Sequence, residues 1–232
     1  MKRRIKALLA VIVVLLLIAG SALIIYFTRP AVAFITSGLF PPGYDVPVPD
    51  GSFFHYRRVS SPSNADLVII APDASVPEGV DSYLLGRLPE EGESVLGTLL
   101  VDEGKLWETA LDDTSIAVLY EESSVASKNI VSHLKSMDSS VKEVKYQGRV
   151  SSANLDAVKS EIGDAETILC LTPSSSMTFI RDASDCVIVV DAIDAAAMET
   201  SDVDKAVSID WDSTISNLLS GNAELSYCLI SL

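Results

Sequence analysis

Between Ala7 and Phe27 the chain holds no charged residue across 21 positions. Wound as an α-helix at about 1.5 Å per residue, this segment is ~31 Å long, close to the hydrocarbon thickness of a bilayer. Fourteen of its residues are Leu, Ile, Val or Phe, and each favours insertion by roughly 0.3–0.6 kcal/mol near a helix centre. Lys2, Arg3, Arg4 and Lys6 precede the run, while only Arg29 follows it closely. The positive-inside rule then predicts a cytoplasmic tail over residues 1–6 and a single-pass signal-anchor helix over 7–27. Everything from Ala31 onward is expected outside the cytoplasmic (inner) membrane, in the periplasmic space of a bacterial envelope. The rival reading is a cleaved signal peptide, and Ala31-Val32-Ala33 has the small-x-small pattern of a cleavage site. Signal h-regions are roughly 7–15 residues, shorter than this run, and a cut there would remove the first expected strand. No Cys stands directly after the run to accept a lipid.

Beyond Phe27 lie 13 of the 17 basic residues and all 32 acidic ones, a formal charge of −19. Such a field repels nucleic acid and anionic surfaces, so no nucleic-acid partner is expected. Solubility of an exported domain explains the charge more simply than an acidic recognition face does. Cys170, Cys186 and Cys228 sit in apolar runs and read as small buried hydrophobes. One disulfide among the three is the alternative, which spacing does not identify. The two histidines, His55 and His133, are isolated, and no Cys or His cluster has metal-ligand spacing.

The residues after the anchor read as α/β. Ser115–Tyr120, Val141–Val150, Thr167–Leu171, Cys186–Val190 and Ala206–Ile209 are short apolar or alternating runs expected as strands. Between them, Ile130, Val131, Leu134 and Met137 recur at helical spacing behind Ser123-Ser124, and Leu155, Val158 and Ile162 recur behind Ser152. Met177–Ala183 reads as a short helix. A further helix opens at Ser213 and ends at Gly221, and Glu224–Ser231 reads as an edge strand. Strands alternating with helices predict a parallel sheet whose strand C-terminal ends share one edge, where ligands of such sheets bind.

The first half is less regular. Val32–Thr36, Leu67–Ala71, Val95–Val101 and Phe53–Val59 read as strands. Ser60–Ala65 is too short for an ordinary parallel crossover and suggests an antiparallel hairpin. Gly38–Gly51 (GLFPPGYDVPVPDG) is too rich in Pro and Gly for a helix. It reads as a proline-stiffened connector, or else as a lid or docking loop near the membrane.

Two segments share one order. Ser94–Leu111 (SVLGTLLVDEGKLWETAL) and Ala206–Leu219 (AVSIDWDSTISNLL) each run strand, acidic residues, helix. Each is expected to leave one lobe as a strand and cross to the other as a helix. This order resembles the type I periplasmic-binding-protein fold, shared with the sensor domains of lac-repressor-like regulators. The resemblance implies two Rossmann-like parallel-sheet lobes, a reduced first one over 31–112 and a second over 113–232, with a crossing segment near 206–220. It also implies a small molecule bound between them. LTPSSSMTFIRDAS stands where sugar-binding members carry an Asn-Asp pair, which is absent.

If the strands are parallel, residues just beyond their ends line that cleft. These are Thr36 and Ser37, Asp73, Tyr120 and Glu121, Thr172 and Ser174, Asp191, and Asp210 with Trp211. An aromatic ring there stacks on a flat ligand while carboxylates accept its hydrogen bonds. The plainer reading is that strand ends need polar turns, that Trp211 packs at a hinge, and that Asp212 caps a helix. Ser174-Ser175-Ser176 lacks a nucleophile elbow, and no Gly-x-x-x-x-Gly-Lys loop or dinucleotide fingerprint is present. No enzyme activity, cofactor or metal is therefore expected. The sequence predicts a membrane-anchored binding or sensing module served by a small-molecule ligand and a membrane partner such as a transporter or signalling subunit. The alternative is a non-catalytic interaction subunit that has lost ligand binding.

Overall fold

The computed structural model describes residues 2–35, 56–112, 114–171, 180–181, 185–195, 198 and 202–232. Helix α1 (Lys2–Phe27) runs without a break through the apolar segment. Its side chains are described from Val11 onward, and among the described residues no helix is long and apolar enough to cross a membrane.

After Phe27 the chain enters two sheets. The first is wholly parallel, in the order β2-β1-β3-β4-β5, from β1 (Ala31–Ile35), β2 (Arg57–Arg58), β3 (Leu67–Ile70), β4 (Tyr83–Leu85) and β5 (Gly97–Leu99). The second is built from β6 (Ile116–Glu121), β7 (Lys142–Tyr146), β8 (Thr167–Cys170), β9 (Val187–Asp191) and β10 (Lys205–Ile209). Its parallel order, β7-β6-β8-β9-β10, repeats the first sheet strand for strand. β11 (Tyr227–Ser231) is added antiparallel beside β10.

The fifth strand of each sheet feeds a helix into the other lobe. β5 leads to α2 (Glu103–Glu108), whose Leu106 and Trp107 pack with Ile116, Val118 and Val207 of the second sheet. β10 leads to α6 (Trp211–Leu219), whose Trp211, Ile215 and Leu218 pack on Val32, Leu67, Ile69 and Leu85 of the first. Both helices start at an Asp in extended conformation: Asp102 accepts from Lys105 N, and Asp210 from Ser213 N. This is the reciprocal crossing expected from the sequence. Burial explains it, because neither two-turn helix is stable alone, and each presents a tryptophan only 3–4% exposed.

The second sheet is also covered by α3 (Val125–Met137) on the α2 side and by α4 (Leu155–Ile162) on the opposite face. Among the described residues, Val59, Ala65, Val76, Val80 and Val95, all in loops, cover the far face of the first sheet.

Several expectations are corrected. β2 and β3 do not form an antiparallel hairpin: both run parallel to β1, which lies between them. The connection is short because a single 3-10 turn (Pro62–Asn64) returns the chain, with Val59 N donating to Val32 O and Asp66 N to Ala31 O. β4 is a strand the sequence does not announce. α6 starts at Trp211 rather than Ser213 because Asp210, not Asp212, is the cap. Met137 ends α3 exposed rather than in its buried stripe. All three cysteines are free; Cys170 is buried, and the Cys186 thiol donates to Ala165 O at 2.7 Å. Gly38–Gly51, His55 and most of Met177–Ala183 lie outside the described residues; Ile180 and Arg181 are helical.

α2 approaches α3 so closely that a Cβ on Gly104 would stand 2.9 Å from Cγ of His133. In an open helix Gly→Ala gains about 1 kcal/mol, but here overpacking reverses the sign. Gly104→Ala is expected to destabilise by about 1–2 kcal/mol in urea unfolding. Adding the same change to His133→Ala is expected to stabilise instead. Stabilisation by Gly104→Ala alone would show that the two helices are not in this contact.

Candidate ligand-binding cleft

In a parallel sheet of order 2-1-3-4-5, crossovers leave opposite faces on either side of the first strand, and the crevice at that switch point is where ligands bind. This sheet pair has two such points, beyond the C-terminal ends of β1 and β3 and beyond those of β6 and β8. The two C-terminal edges meet at β5 and β10. Asp102 N, just past β5, donates to the Tyr227 hydroxyl at 2.8 Å, and Tyr227 is paired with Ile209 at the end of β10. Thr214 Oγ1, wholly buried in α6, accepts from Ser226 N at 2.9 Å and fixes the strand that carries Tyr227.

Two cavities flank the crossing segment. One, of about 650 Å³, opens between Leu100–Gly104 and the N-terminal half of α3, lined also by Asn129 and His133. The other, of about 30 Å³, is a gap between Val101, Glu103, Asp191, Ser208 and Ile209. Glu103 lines both. Burial, then the charges of Asp191 and Asp102, push its carboxyl above the usual carboxylate range. Asp191 is raised too, first by burial, although Ile193 N donates to it at 2.7 Å. Asp194 on the short α5 (Ala192–Ala195) is raised by burial. Among the described residues no three His, Cys, Asp or Glu side chains are grouped to hold a metal.

The residues expected at the strand ends are dispersed. Asp191 faces the gap. Glu121 ends β6 and fastens the next turn, accepting from Ser123 N at 2.9 Å and Gly148 N at 3.3 Å. Asp73 is exposed in the turn after β3. Asp210 caps α6. Trp211 lies in the core, its ring edge-on to Phe34 at 5.1 Å. Tyr120 is also a core residue, 2% exposed, its hydroxyl donating to Glu143 Oε2 at 3.1 Å. Lys135 Nζ at 2.8 Å and Lys145 Nζ at 3.0 Å complete that group and hold the Glu143 carboxyl down to about 2. Thr36, Ser37, Thr172 and Ser174 lie outside the described residues.

Periodicity could have placed both aromatics. Tyr120 shares the strand face of Ile116 and Val118, and Trp211 shares the helix stripe of Ile215 and Leu218. Glu103 was missed because a carboxylate in a first helical turn ordinarily serves the helix dipole.

No family model and no characterised protein sequence matches the chain. Among solved structures it is similar to an ABC-transporter solute-binding protein from Conexibacter woesei, at 13% identity and a TM-score of 0.42, over 83% of this chain and 82% of that one. It is similar to a ligand-free, open substrate-binding protein with adhesive properties from Clostridium difficile, at 14% identity and 0.45, over 85% and 90%. A LacI-family repressor from Corynebacterium glutamicum shares 15% identity at 0.38, over 86% and 97%. The type I periplasmic-binding-protein-like fold of this chain rests on its repeated strand order and exchanged helices rather than on these likenesses.

The carboxyls set the acid–base behaviour. Glu93, paired with Arg87 at 2.7 Å, is held down to about 2, as is Glu143. Groups with lowered values add stability that is present above the ordinary value of 4.5 and lost as pH falls through the lowered one. Asp191, half-buried, acts oppositely: its contribution is complete below the ordinary value of 3.8 and is lost as pH rises through the raised one, whereas Glu103 is exposed and solvent screening leaves it little weight. The thermal midpoint is therefore expected to peak near about pH 5 and to fall toward neutrality. Asp191→Asn should raise the midpoint at pH 7 and flatten that fall. A midpoint rising steadily to pH 8 would contradict this.

Proposed function

We propose that the chain is a membrane-anchored, extracytoplasmic module of the periplasmic-binding-protein type that binds or senses a small molecule between its lobes. The observation that carries this reading is the repeated strand order joined by exchanged helices. It brings the C-terminal edges of both sheets together at Asp102 and Tyr227 and leaves the switch points beyond β1–β3 and β6–β8 as the two walls of a cleft. Asp73, Glu121 and Asp191, with Glu103 beside Asp191, are the described polar groups we assign to those walls; Thr36, Ser37, Thr172 and Ser174 are assigned to them from sequence position alone. Tyr120 and Trp211 serve by holding the walls in place.

The anchor is α1. Its 26 residues span ~39 Å. Leu15, Leu16, Leu17 and Ile18 are each more than half exposed, so apolar surface covers consecutive positions around the helix. A helix apolar on all sides needs a protein core or lipid around it. The charge asymmetry of its flanks supports a domain on the outer side of the inner membrane, from where its signal would pass to a membrane partner.

A second reading, an interaction subunit that has lost its ligand, is favoured by one observation. Apart from residues of the Leu100–Leu106 segment, which follows β5, both described cavities beside Glu103 draw their lining from the second lobe. Thermal unfolding of the full chain in detergent against a panel of neutral and cationic metabolites separates the two. A true ligand at about 100 times its Kd adds about 2.7 kcal/mol, and Asp191→Asn is expected to weaken that shift. No stabilisation by any compound, with a membrane protein co-purifying, would favour the interaction subunit.

A further inference from the structure

Among the described residues the two sheets end in four edges: β2 and β5 on the first, β7 and β11 on the second. Three of them carry features that keep an edge from pairing. β2 is two residues long, both Arg, and β5 is three residues long. β7 has five residues but exposes Lys142 and Lys145. Short length and lysine are the ordinary protections of a sheet edge. β11 has neither. Its five residues, Tyr227–Ser231 (YCLIS), include no charged residue, proline or glycine.

Only half of the β11 backbone is used. Asp210 N donates to Ser226 O at 2.9 Å, and Leu232 N donates to Asp204 O at 3.0 Å. Between those bonds Ser208 stands opposite Cys228 and Ala206 opposite Ile230. The alternation of an antiparallel ladder then bonds Cys228 and Ile230 to β10. Tyr227, Leu229 and Ser231 turn their N–H and C=O groups to the open side, where no described residue pairs with them. Such a row is a template for one more strand. Both faces of β11 beside it are apolar. Leu229 packs on the cluster that holds Leu106 and Trp107, and Cys228 and Ile230 pack with Ala192 and Ala206.

Charge beside the row selects the occupant. The Tyr227 hydroxyl accepts from Asp102 N at 2.8 Å. Burial, then the charges of Asp102, Glu103 and Glu224, push that hydroxyl above its ordinary value, so three carboxylates stand near this end of the strand. Lys105, at 3.8 Å from Glu224, offsets one of them. A strand that arrives with Lys or Arg at this end meets opposite charge. A second copy of this chain brings another −19 and is repelled.

We propose that β11 is the docking edge for an extended segment of a partner protein, added as a seventh strand of the second sheet, uncharged along its length and with Lys or Arg at the end beside Tyr227. The docked segment would lie at the joint between the lobes, because β11 is bonded to both crossings: Tyr227 to Asp102, and Ser226 N to Thr214 Oγ1 at 2.9 Å. The inference rests on the sheet edges alone and stands apart from the anchor and from any ligand in the cleft.

The test uses the full chain in detergent and synthetic peptides of alternating Val and Thr, led or followed by Lys-Arg, with binding read by fluorescence anisotropy and amide hydrogen exchange by NMR. One of the two Lys-Arg peptides is expected to bind and to slow exchange at Tyr227, Leu229 and Ser231 by at least about tenfold. Glu143 and Lys145 on β7 should exchange as before. Replacing Lys-Arg by Glu-Glu should weaken binding by about tenfold, the effect of reversing two partly screened charges. Glu224→Gln should weaken the Lys-Arg peptide several-fold and leave a Ser-Ser version unchanged. Leu229→Pro should abolish binding. Ser231→Pro, which removes an outward N–H at an exposed strand end, should weaken it several-fold without moving the thermal midpoint, and so decides the matter if Leu229→Pro unfolds the chain. No binding by either Lys-Arg peptide, equal binding of the Glu-Glu forms, or protection on β7 in place of β11 would overturn the proposal. Protection of the three outward amides in the free chain that grows with its concentration would assign the edge to a second copy and overturn the partner.

Discussion

The exchange of two short helices holds this molecule together. α2 leaves the first sheet to bury Leu106 and Trp107 in the second, and α6 leaves the second to bury Trp211, Ile215 and Leu218 in the first. Truncating one buried tryptophan costs about 3–5 kcal/mol, a large part of the 5–15 kcal/mol that stabilises a typical domain. Each lobe therefore borrows part of its core from the other. This matters for the first lobe, where the described residues that cover the far face of the sheet are loop side chains.

The same exchange positions the candidate site. Because each fifth strand must reach the opposite lobe, the C-terminal ends of β5 and β10 are drawn together, and Asp102 N meets the Tyr227 hydroxyl. Glu103, itself exposed, is carried to the rim of the gap beside half-buried Asp191, and partial burial and neighbouring carboxylates raise both above the normal carboxylate range. Carboxyls held in this state cost stability at neutral pH, a cost common where side chains are arranged for binding rather than for packing.

The second lobe was legible in the sequence because its strands are apolar runs and its helices repeat at 3.6 residues. β6 through β10 and the final edge strand were legible there; the antiparallel direction of that strand was not. The crossing helices were legible as a repeated strand–acid–helix order. β4 was not: three residues, Tyr83–Leu85, give too little periodicity amid Pro and Gly. The pairing of β2 was misjudged because the 3-10 turn at Pro62–Asn64 permits a parallel return in fewer residues than a helical crossover needs. The site was less legible than the fold. Position beyond a strand suggested Tyr120 and Trp211 as cleft residues, but side-chain direction decides, and both point into cores. Glu103 became visible only when the crossing brought it against Asp191.

The chain contains two tryptophans, one on each exchanged helix. Trp107→Phe leaves a reporter buried against the first sheet, and Trp211→Phe leaves one buried against the second. Urea unfolding of the two single-tryptophan proteins, followed by fluorescence and by far-ultraviolet circular dichroism, reads the lobes separately. If each helix completes the other lobe's core, fluorescence and dichroism will trace one coincident transition in each protein. A fluorescence transition that separates from the dichroism, with one lobe melting while the other stays folded, would contradict the account.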